Sequence, residues 1–282
     1  MTPIAGSVAL VTGASYGLGA ATARALAARG ARLALVARSR EALEALAAEL
    51  TAGGTQAVAI PADLAQPDAP AEVVAAVERE LGGIDILINN AGVEHTAAYH
   101  ELPTADIDLL IDVNVRAPMV LTRLVLPGMV ERRRGHIVHM ASLAGIASPA
   151  FHEGYSASKA ALIAFSHSLR ASYRGTGVSS SVIVPGFVSE AGMHERMKQE
   201  VGVKTPALVG AVRADAVVRA VLGAIEHDRD QVLVTPLTTT VMTKLFSPYP
   251  AVGAFIQRAL GVTDMYRRVA ARHSAGSRVK PT

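Results

Sequence analysis

The sequence predicts a doubly wound α/β fold, in which a seven-stranded parallel sheet carries helices on both faces and a helical extension follows. Two observations predict it: short apolar runs rich in β-branched residues alternate with longer helical patterns, and these runs are apolar at nearly every position. Continuous apolarity is typical of strands that helices cover on both faces. Right-handed crossovers between such strands make the doubly wound topology the default.

The alternation of strands and helices ends near residue 235, so we expect one domain over residues 1–236. A helical extension over residues 237–282 would pack on the same domain or on a neighbouring subunit. The predicted strands cover residues 7–12, 31–37, 55–60, 84–89, 136–141, 178–184 and 231–235. Helical patterns between them include residues 19–30, 40–50 and 70–82.

The residue composition excludes several kinds of site. Hydrophobic residues make up 50% of the 282 residues, which is enough for a sizeable core. The chain has no cysteine, so disulfides and thiolate metal sites are excluded. His136 and His139 fall on opposite faces of one predicted strand, and no HExxH motif occurs. We therefore expect no metal site.

The charge pattern favours neither a nucleic acid nor a membrane as partner. The formal net charge is only +3, and the densest basic cluster, Arg132 to Arg134, suits a solvated turn before a strand. The N-terminal stretch lacks the basic flank and apolar run of a signal peptide, and no window reaches the roughly 18 apolar residues of a membrane span. We expect a cytoplasmic protein.

A glycine-rich turn, TGASYGLG from Thr12 to Gly19, links the first strand to a helix. Such a turn can bring backbone amides close to a pyrophosphate, while the helix N-terminus supplies partial positive charge. The same letters match the G-x-S-x-G elbow of a serine hydrolase, with Ser15 as nucleophile. That elbow needs earlier strands to complete its oxyanion hole, and here none precedes it. A dinucleotide site is therefore favoured.

The end of the second strand selects between the two nicotinamide dinucleotides. An acidic residue about 20 positions after the glycine turn would bind the ribose of NAD, but this chain has Ala37, Arg38, Ser39 and Arg40 there. A guanidinium offers charge-assisted hydrogen bonds to a 2′-phosphate. NADP(H) is predicted; the alternative is that Arg38 only begins the next helix.

The stretch YSASK places Tyr155 and Lys159 four residues apart in a helical segment. At that spacing the two side chains lie on one face, so a buried cation would favour ionisation of the phenol. This pattern predicts acid–base chemistry. The alternative is that Tyr155 belongs to the core and Lys159 is solvated.

Together these motifs resemble the short-chain dehydrogenase/reductase family over roughly residues 5 to 235. The resemblance implies a Rossmann fold, an NADP(H)-dependent oxidoreductase and a homo-oligomer, either dimer or tetramer, that pairs the helices containing Asn114 and Tyr155. It implies a catalytic set of Asn114, Ser142, Tyr155 and Lys159. The implied cofactor-binding residues are Gly13, Ser15, Tyr16, Gly17, Leu18, Gly19, Arg38, Ser39, Asp63, Leu64, Asn90, Ala91, Gly92, Tyr155, Lys159, Pro185, Gly186 and Val188.

The family also implies a role for each catalytic residue. Tyr155 acts as general acid and base on a carbonyl or alcohol, and Lys159 also binds the nicotinamide ribose. Ser142 would position the substrate oxygen, and Asn114 would hold a water that links Lys159 to solvent. One position departs from the family: many members have a threonine four residues after Pro185, whereas this chain has Glu190, for which Ser189 or backbone amides would substitute.

The family places the substrate pocket beside the catalytic set, at positions that are mainly apolar here. We expect a small hydrophobic ketone, alcohol or acyl carbonyl as substrate. For His95 and His152, the alternative to a place in the pocket is a place on the protein surface. Two other readings of the whole chain are a non-catalytic NADP-binding regulator and a sugar-nucleotide epimerase. The predicted pocket residues are Val93, Glu94, His95, Leu143, Phe151, His152, Phe187 and Met193.

The extension after residue 236 contains apolar residues near helical spacing, interrupted by Pro248 and Pro250. We expect two short amphipathic helices whose apolar stripe is covered by the substrate cleft, by a neighbouring subunit or, as the least favoured option, by a membrane surface. The predicted stripe consists of Val241, Met242, Leu245, Phe246, Val252, Phe255, Ile256 and Leu260.

Overall fold

The computed structural model describes residues 2–189, 206 and 209–277. Its main sheet has seven parallel strands in the order β3-β2-β1-β4-β5-β6-β9, which confirms the predicted doubly wound sheet. The strands are Val8–Thr12 (β1), Arg32–Ala37 (β2), Ala57–Pro61 (β3), Ile86–Asn89 (β4), Gly135–Met140 (β5), Val178–Pro185 (β6) and Gln231–Val234 (β9). A two-stranded parallel ribbon, Val188–Ser189 (β7) and Val212–Arg213 (β8), was not predicted.

Among the described residues before position 237, helices and tight helical turns surround this sheet or cap its edge. They are Gly17–Ala27 (α1), Arg40–Ala52 (α2), Ala69–Leu81 (α3), the 3₁₀ turn Tyr99–Glu101, Thr104–Ile111 (α4), Ala117–Glu131 (α5), Ala144–Ala147 (α6), Glu153–Ser172 (α7) and Ala214–His227 (α8). A π-helical turn, Asp112–Arg116, joins α4 to α5. The predicted helices 19–30, 40–50 and 70–82 are present with shifted ends.

Two apolar layers enclose the sheet because successive strand residues point to opposite faces. On one face, Val11 and Ile88 pack with α1 and α8. On the other, Leu10 and Leu87 pack with α3 and α5. Every residue of β1 and β5 is buried, including His136 and His139 of β5. The sheet is therefore a rigid base for the loops at its carboxyl edge.

The C-terminal extension forms three helices, so the prediction of two is wrong. They are Leu237–Phe246 (α9), Pro250–Ala259 (α10) and Val262–Ser277 (α11). Pro250 begins α10, where a missing N–H costs nothing, and Gly261, at φ +77°, provides the left-handed turn before α11. Within α11, Met265 and Tyr266 are buried in a separate apolar cluster with Phe187. The extension therefore packs on its own chain.

The predicted apolar stripe divides between two environments. Met242, Phe246, Ile256 and Leu260 line a large internal cavity. The other four, Val241, Leu245, Val252 and Phe255, are exposed. The cleft therefore covers half of the stripe. No helix in the described part of the chain is long and apolar enough to cross a membrane.

Candidate active site

A cavity of about 720 Å³ opens at the carboxyl edge of the sheet. It lies where the strand order reverses, between β1 and β4, so loops leaving neighbouring strands separate there. We call the part formed by the glycine turn, Arg38, Asp63 and residues 90–92 the nucleotide end. The part formed by Glu94, Leu143, His152, Phe187 and the helices α9 and α10 is the substrate end.

The glycine turn contacts the loop that follows β4. Thr12 Oγ1 accepts hydrogen bonds from the amides of Asn90 and Ala91, each at 3.0 Å. Gly13 has φ +66°, and a Cβ on Gly19 would lie 2.0 Å from the Gly13 carbonyl oxygen. Only glycine fits at these two positions, because the backbone is left-handed at the first and too crowded at the second.

The nucleotide end fits a dinucleotide diphosphate. The N-terminus of α1 has no acidic residue in its first turn, so the partial positive charge at the helix end is not offset locally. All the predicted cofactor-binding residues line this one cavity.

Arg38 follows β2 directly and its side chain is exposed at the mouth of the nucleotide end. Within the residues that the structure describes, it makes no ion pair. Ser39 lies beside it and caps α2 by accepting a hydrogen bond from the amide of Ala42 at 3.4 Å. A guanidinium is thus available where the second strand meets the cavity, while the following helix begins at Arg40.

Tyr155 and Lys159 lie on α7 and are both buried, with 5% and 2% of their surface exposed. The Lys159 ammonium is 5.6 Å from the centre of the Tyr155 ring and donates a hydrogen bond to the Met140 carbonyl at 3.0 Å. The alternative of a solvated Lys159 is therefore wrong.

The pKa of Tyr155 moves in the direction opposite to the one expected. Burial, followed by the negative charge of Glu94, raises this pKa above its usual value, and a hydrogen bond with Ser142 opposes the rise. The expectation that Lys159 lowers it is wrong for this structure, because these two effects dominate. Burial lowers the pKa of Lys159 to about 8, and Glu94 opposes that shift. The phenol is thus held in the protonated form.

Asn114 sits in the π-helical turn and is fully buried. Its amide nitrogen donates to the Val93 carbonyl at 2.8 Å and to Ser158 Oγ at 3.0 Å, and its side-chain oxygen accepts from the Val93 amide at 2.8 Å. A Cβ on Gly92 would lie within 3.3 Å of both Asn114 and Lys159. Asn114 therefore fixes the loop over Lys159, and its water-holding role stays a prediction.

Ser142 follows β5 and lines the cavity next to Tyr155. Its hydroxyl accepts a hydrogen bond from the amide of Ala144 at 3.2 Å and lies close enough to the Tyr155 phenol to lower the pKa of that phenol. Two hydroxyl groups therefore converge on one point between the two ends of the cavity. Such a pair can hold a carbonyl oxygen and donate hydrogen bonds to it.

Most of the predicted substrate-pocket residues meet at the substrate end, but two do not. Val93, Glu94, Leu143, His152 and Phe187 line the cavity. His95 and Phe151 do not line it, and those assignments are corrected here. Met193 lies outside the described residues.

Each of the two misplaced side chains has another partner. The His95 ring faces Asp106, with Nδ1 3.5 Å from Oδ2. Phe151 has φ +66° and packs in the apolar cluster beneath α11.

His152 is buried, with 2% exposed, so the alternative of a surface histidine is wrong. Its Nε2 lies 2.9 Å from Glu94 Oε1 and 2.6 Å from Thr96 Oγ1. The ring also lies against Tyr266 on α11, at 4.2 Å between ring centres. Glu94, His152 and α11 therefore form one packed polar wall beside Tyr155.

The described part of the chain contains no cluster of three or more side chains that could hold a metal ion. Ser15 forms no hydrogen bond with a histidine among the described residues, and the only histidine of the cavity lining is His152, which is bonded to Glu94 and Thr96. A hydrolase triad is therefore not assembled there.

The family model of short chain dehydrogenases matches residues 7–202 of the chain. The chain belongs to the short-chain dehydrogenase/reductase family. As a member of this family it is an oxidoreductase. It is 38% identical to the ketoacyl reductase HetN of a Nostoc strain over 273 residues, which are 95% of this chain and 94% of that protein.

Two solved structures from the same family support the fold. A metagenomic short-chain oxidoreductase in complex with NADP is 34% identical, has a TM-score of 0.69 and covers 83% of this chain and 99% of its own. A short-chain dehydrogenase/reductase from Burkholderia phymatum in complex with NAD is 25% identical, has a TM-score of 0.77 and covers 91% and 97%. Members of similar fold thus hold either dinucleotide.

Several cavity residues of this short-chain dehydrogenase/reductase were missed by the sequence reasoning. The apolar spacing predicted the stripe that contains Met242 and Ile256, with the substrate cleft as one of its possible covers, and both residues line the cavity. Tyr266 had no sequence signal. The lining residues that the C-terminal extension contributes are Thr239, Met242, Thr243, Phe246, Ser247, Pro250, Gly253, Ala254, Ile256, Gln257, Leu260, Val262 and Tyr266.

The loop after β6 carries the departure from the family pattern. Pro185, Gly186 and Val188 line the cavity as predicted, whereas Glu190 lies outside the described residues. The Ser189 hydroxyl donates to the Val212 carbonyl at 3.3 Å, which ties β7 to β8. That bond gives Ser189 a structural role in the ribbon.

Proposed function

We propose that this chain is an NADP(H)-dependent oxidoreductase that interconverts a ketone or aldehyde and an alcohol on a mainly hydrophobic small molecule. One observation carries the proposal: a buried tyrosine lies where the nucleotide end and the substrate end of one cavity meet. Ser142 lines the same cavity beside it, and Lys159 lies under its ring. A tyrosine that served only the core would not need either neighbour.

The preference for NADP(H) rests on Arg38. The side chain is exposed at the end of β2 and is not engaged in an ion pair in the described residues, so it can bond a ribose 2′-phosphate. One charge-assisted hydrogen bond of this kind contributes about 1.5–3 kcal/mol. Related proteins have been solved in complex with NADP and with NAD. Membership of the family therefore does not decide between the two dinucleotides, and the preference is argued from Arg38.

The chemistry divides between the cofactor and the protein. Bound NADPH supplies a hydride for the carbonyl carbon. Ser142 and Tyr155 hold the carbonyl oxygen by hydrogen bonds, and Tyr155 gives it the proton that completes the alcohol. Lys159 keeps a positive charge near the phenolate that remains, which lowers the free energy of that state. Solvent then restores the proton of Tyr155.

The substrate class follows from the wall of the substrate end. Leu143, Phe187, Met242, Phe246 and Ile256 present apolar surface to the cavity. Burial of such surface favours a hydrophobic ligand by about 25 cal/mol per Å². The carbonyl of this ligand must reach the two hydroxyl groups at the junction.

The test is a set of hydrophobic ketones mixed with the purified protein and either NADPH or NADH, with the absorbance of the reduced nicotinamide followed in time. We expect consumption of NADPH with at least one ketone and at least tenfold lower efficiency with NADH. Tight NADPH binding without any consumption would instead support the non-catalytic regulator.

A further inference from the structure

Two helices, α9 and α10, form the outer wall of the substrate end. Met242 of α9 and Ile256 of α10 line the cavity. Leu245 and Phe255, on the same two helices, are exposed instead, with 59% and 67% of their surface accessible. The two helices therefore border the cavity on one side and solvent on the other.

This pair of helices is anchored by few buried residues. In the described structure α10 has no buried residue, and α9 has one, Thr239. The next helix, α11, buries Met265, Tyr266 and Val269. Segments with few buried contacts open locally at a low free energy. Gly261, at φ +77°, separates α10 from α11, and a glycine there allows the backbone angles to change when α9 and α10 move.

One side chain connects α10 to another part of the cavity wall. Gln257 Nε2 donates a hydrogen bond to the Ala147 carbonyl at 2.6 Å, and both residues line the cavity. Within the residues that the structure describes, this is the only side-chain hydrogen bond between α10 and another element. Loss of one such bond changes an equilibrium by roughly two- to tenfold, so the attachment of α10 is weak enough to break and form repeatedly.

The acceptor of this bond lies on α6, the helix of four residues that follows Ser142. The last carbonyls of a helix have no partner within the helix, and Gln257 provides one for Ala147. At the other end of α6, the amide of Ala144 donates to Ser142 Oγ at 3.2 Å. The same short helix is thus bonded to α10 at one end and to Ser142 at the other.

We propose that α9 and α10 form a lid over the substrate end and that Gln257 is its latch. When the bond to Ala147 breaks, the lid opens and admits a hydrophobic molecule. When the bond forms, the lid excludes water from the junction beside Tyr155 and Ser142 and fixes α6. The consequence for turnover rests on the proposed function, whereas the movement of the lid does not.

Hydrogen exchange of the full chain without cofactor, measured by mass spectrometry, tests this movement. Peptides from residues 237–259 should exchange faster than peptides from α11. Gln257→Met removes the donor with little change in volume, so it should speed exchange by roughly two- to tenfold both in residues 237–259 and in α6. Gln56→Met, the same change at an exposed glutamine, is the control and should alter neither segment.

A reversible bridge tests whether the lid admits the substrate. The chain has no cysteine, so a pair of thiols at the latch can be bridged selectively. In the variant with both Ala147→Cys and Gln257→Cys, a short bis-methanethiosulfonate reagent would join α10 to α6, and dithiothreitol would release them. We expect the bridged form to reduce 2-acetonaphthone at least tenfold more slowly than the released form. The Kd for NADPH should agree within about twofold in the two forms.

The outcomes separate the lid from the proposed function. If residues 237–259 are as protected as α11, or if Gln257→Met leaves exchange unchanged in both segments, the inference is wrong. Equal rates for the bridged and released forms would also overturn it, because the substrate would then enter by another route. If the wild type consumes no NADPH with any ketone, the proposed function fails, and hydrogen exchange alone decides whether α9 and α10 form a lid.

Discussion

The two ends of the cavity are built from different parts of the chain. The nucleotide end comes from short loops that leave β1, β2, β3 and β4, and four of its lining residues are glycines, Gly13, Gly17, Gly19 and Gly92. The substrate end combines the loops after β4, β5 and β6 with helices from beyond residue 236, and side chains form its surface. Tyr155 lies between them on α7.

This difference assigns separate properties to the two ends. The geometry of the sheet fixes where the nucleotide end lies, so its choice of dinucleotide should depend on the few side chains at its mouth, above all Arg38. A wall made of side chains on helices packed over the sheet can change its specificity by substitution at single positions. The structure therefore predicts that cofactor choice and substrate choice respond to different mutations.

Tyr155→Phe acts at the junction and should have the largest effect. It removes the proton donor and almost no volume, so we expect kcat to fall by a factor of roughly 10² to 10⁴. The Kd for NADPH, measured by fluorescence titration, should stay within about twofold, because the nucleotide end is unchanged. Tyr99→Phe, the same change at an exposed tyrosine, should keep the wild-type rate. A near-normal rate for Tyr155→Phe would mean that Tyr155 has only a structural role.

Arg38→Asp changes the nucleotide end alone. Loss of one charge-assisted bond and the new repulsion should reduce kcat/KM with NADPH at least tenfold and reverse or erase the preference over NADH. The KM for the ketone should change little. The control is Arg79→Asp, which removes an exposed arginine of α3. If Arg38→Asp keeps the wild-type preference for NADPH over NADH, another group must bind the 2′-phosphate.

Phe246→Ala changes the substrate end alone. Removal of a ring from the cavity wall should raise the KM for bulky hydrophobic ketones about tenfold, since burial of such a side chain contributes about 1.5–3 kcal/mol. NADPH binding should be unaffected. Leu245→Ala, on the outer face of the same helix with 59% exposed, is the matched control. Equal effects from both variants would mean that α9 acts through overall stability.

The lowered pKa of Lys159 predicts a pH dependence of the free energy of unfolding. The folded protein releases the Lys159 proton near pH 8, whereas the unfolded chain keeps it until about pH 10.4. The unfolded state therefore binds more protons between these values, so stability should rise with pH from about 8 to 10, by at most about 1.4 kcal/mol per pH unit. Above about pH 10 the free energy of unfolding should fall again, because the buried Tyr155 and Tyr266 have raised pKa values and keep their protons longer than they do in the unfolded chain.

Urea unfolding of the protein without cofactor at several pH values measures this slope. Lys159→Met should abolish the rise, while Lys244→Met, the same change at an exposed lysine, should keep it. A wild-type stability that is flat or falls between pH 8 and 9.5 would contradict the assigned pKa.

The sequence predicted the nucleotide end better than the substrate end for a physical reason. Gly13, Gly19 and Asn90 follow predicted strands directly, and strand order brings their loops together without further information. The doubly wound topology and the placement of Tyr155 and Lys159 on one face of a helix follow from the same local patterns. These features depend on short-range chemistry that the sequence displays.

The features of the substrate end that were not predicted depend on packing between segments that are far apart in the sequence. Tyr266 reaches the cavity only because α11 packs against Phe187, and nothing near residue 266 indicates that contact. His152 was assigned to the pocket with a surface position as its alternative, and in the structure it is buried against Tyr266 of α11. The pKa of Tyr155 was predicted in the wrong direction. The YSASK motif shows the neighbouring Lys159, but burial and the proximity of Glu94, which raise this pKa, result from the tertiary structure.

The most direct test of the account uses NADPH deuterated at C4 of the nicotinamide, with each of the two faces labelled in a separate sample. The protein is incubated with a hydrophobic ketone in ordinary water, and the alcohol is analysed by mass spectrometry and NMR. Joined ends of one cavity predict an alcohol of one configuration, with deuterium on its carbinol carbon from only one of the two labelled samples. An alcohol without deuterium from either sample, or no alcohol with any ketone, would contradict the account.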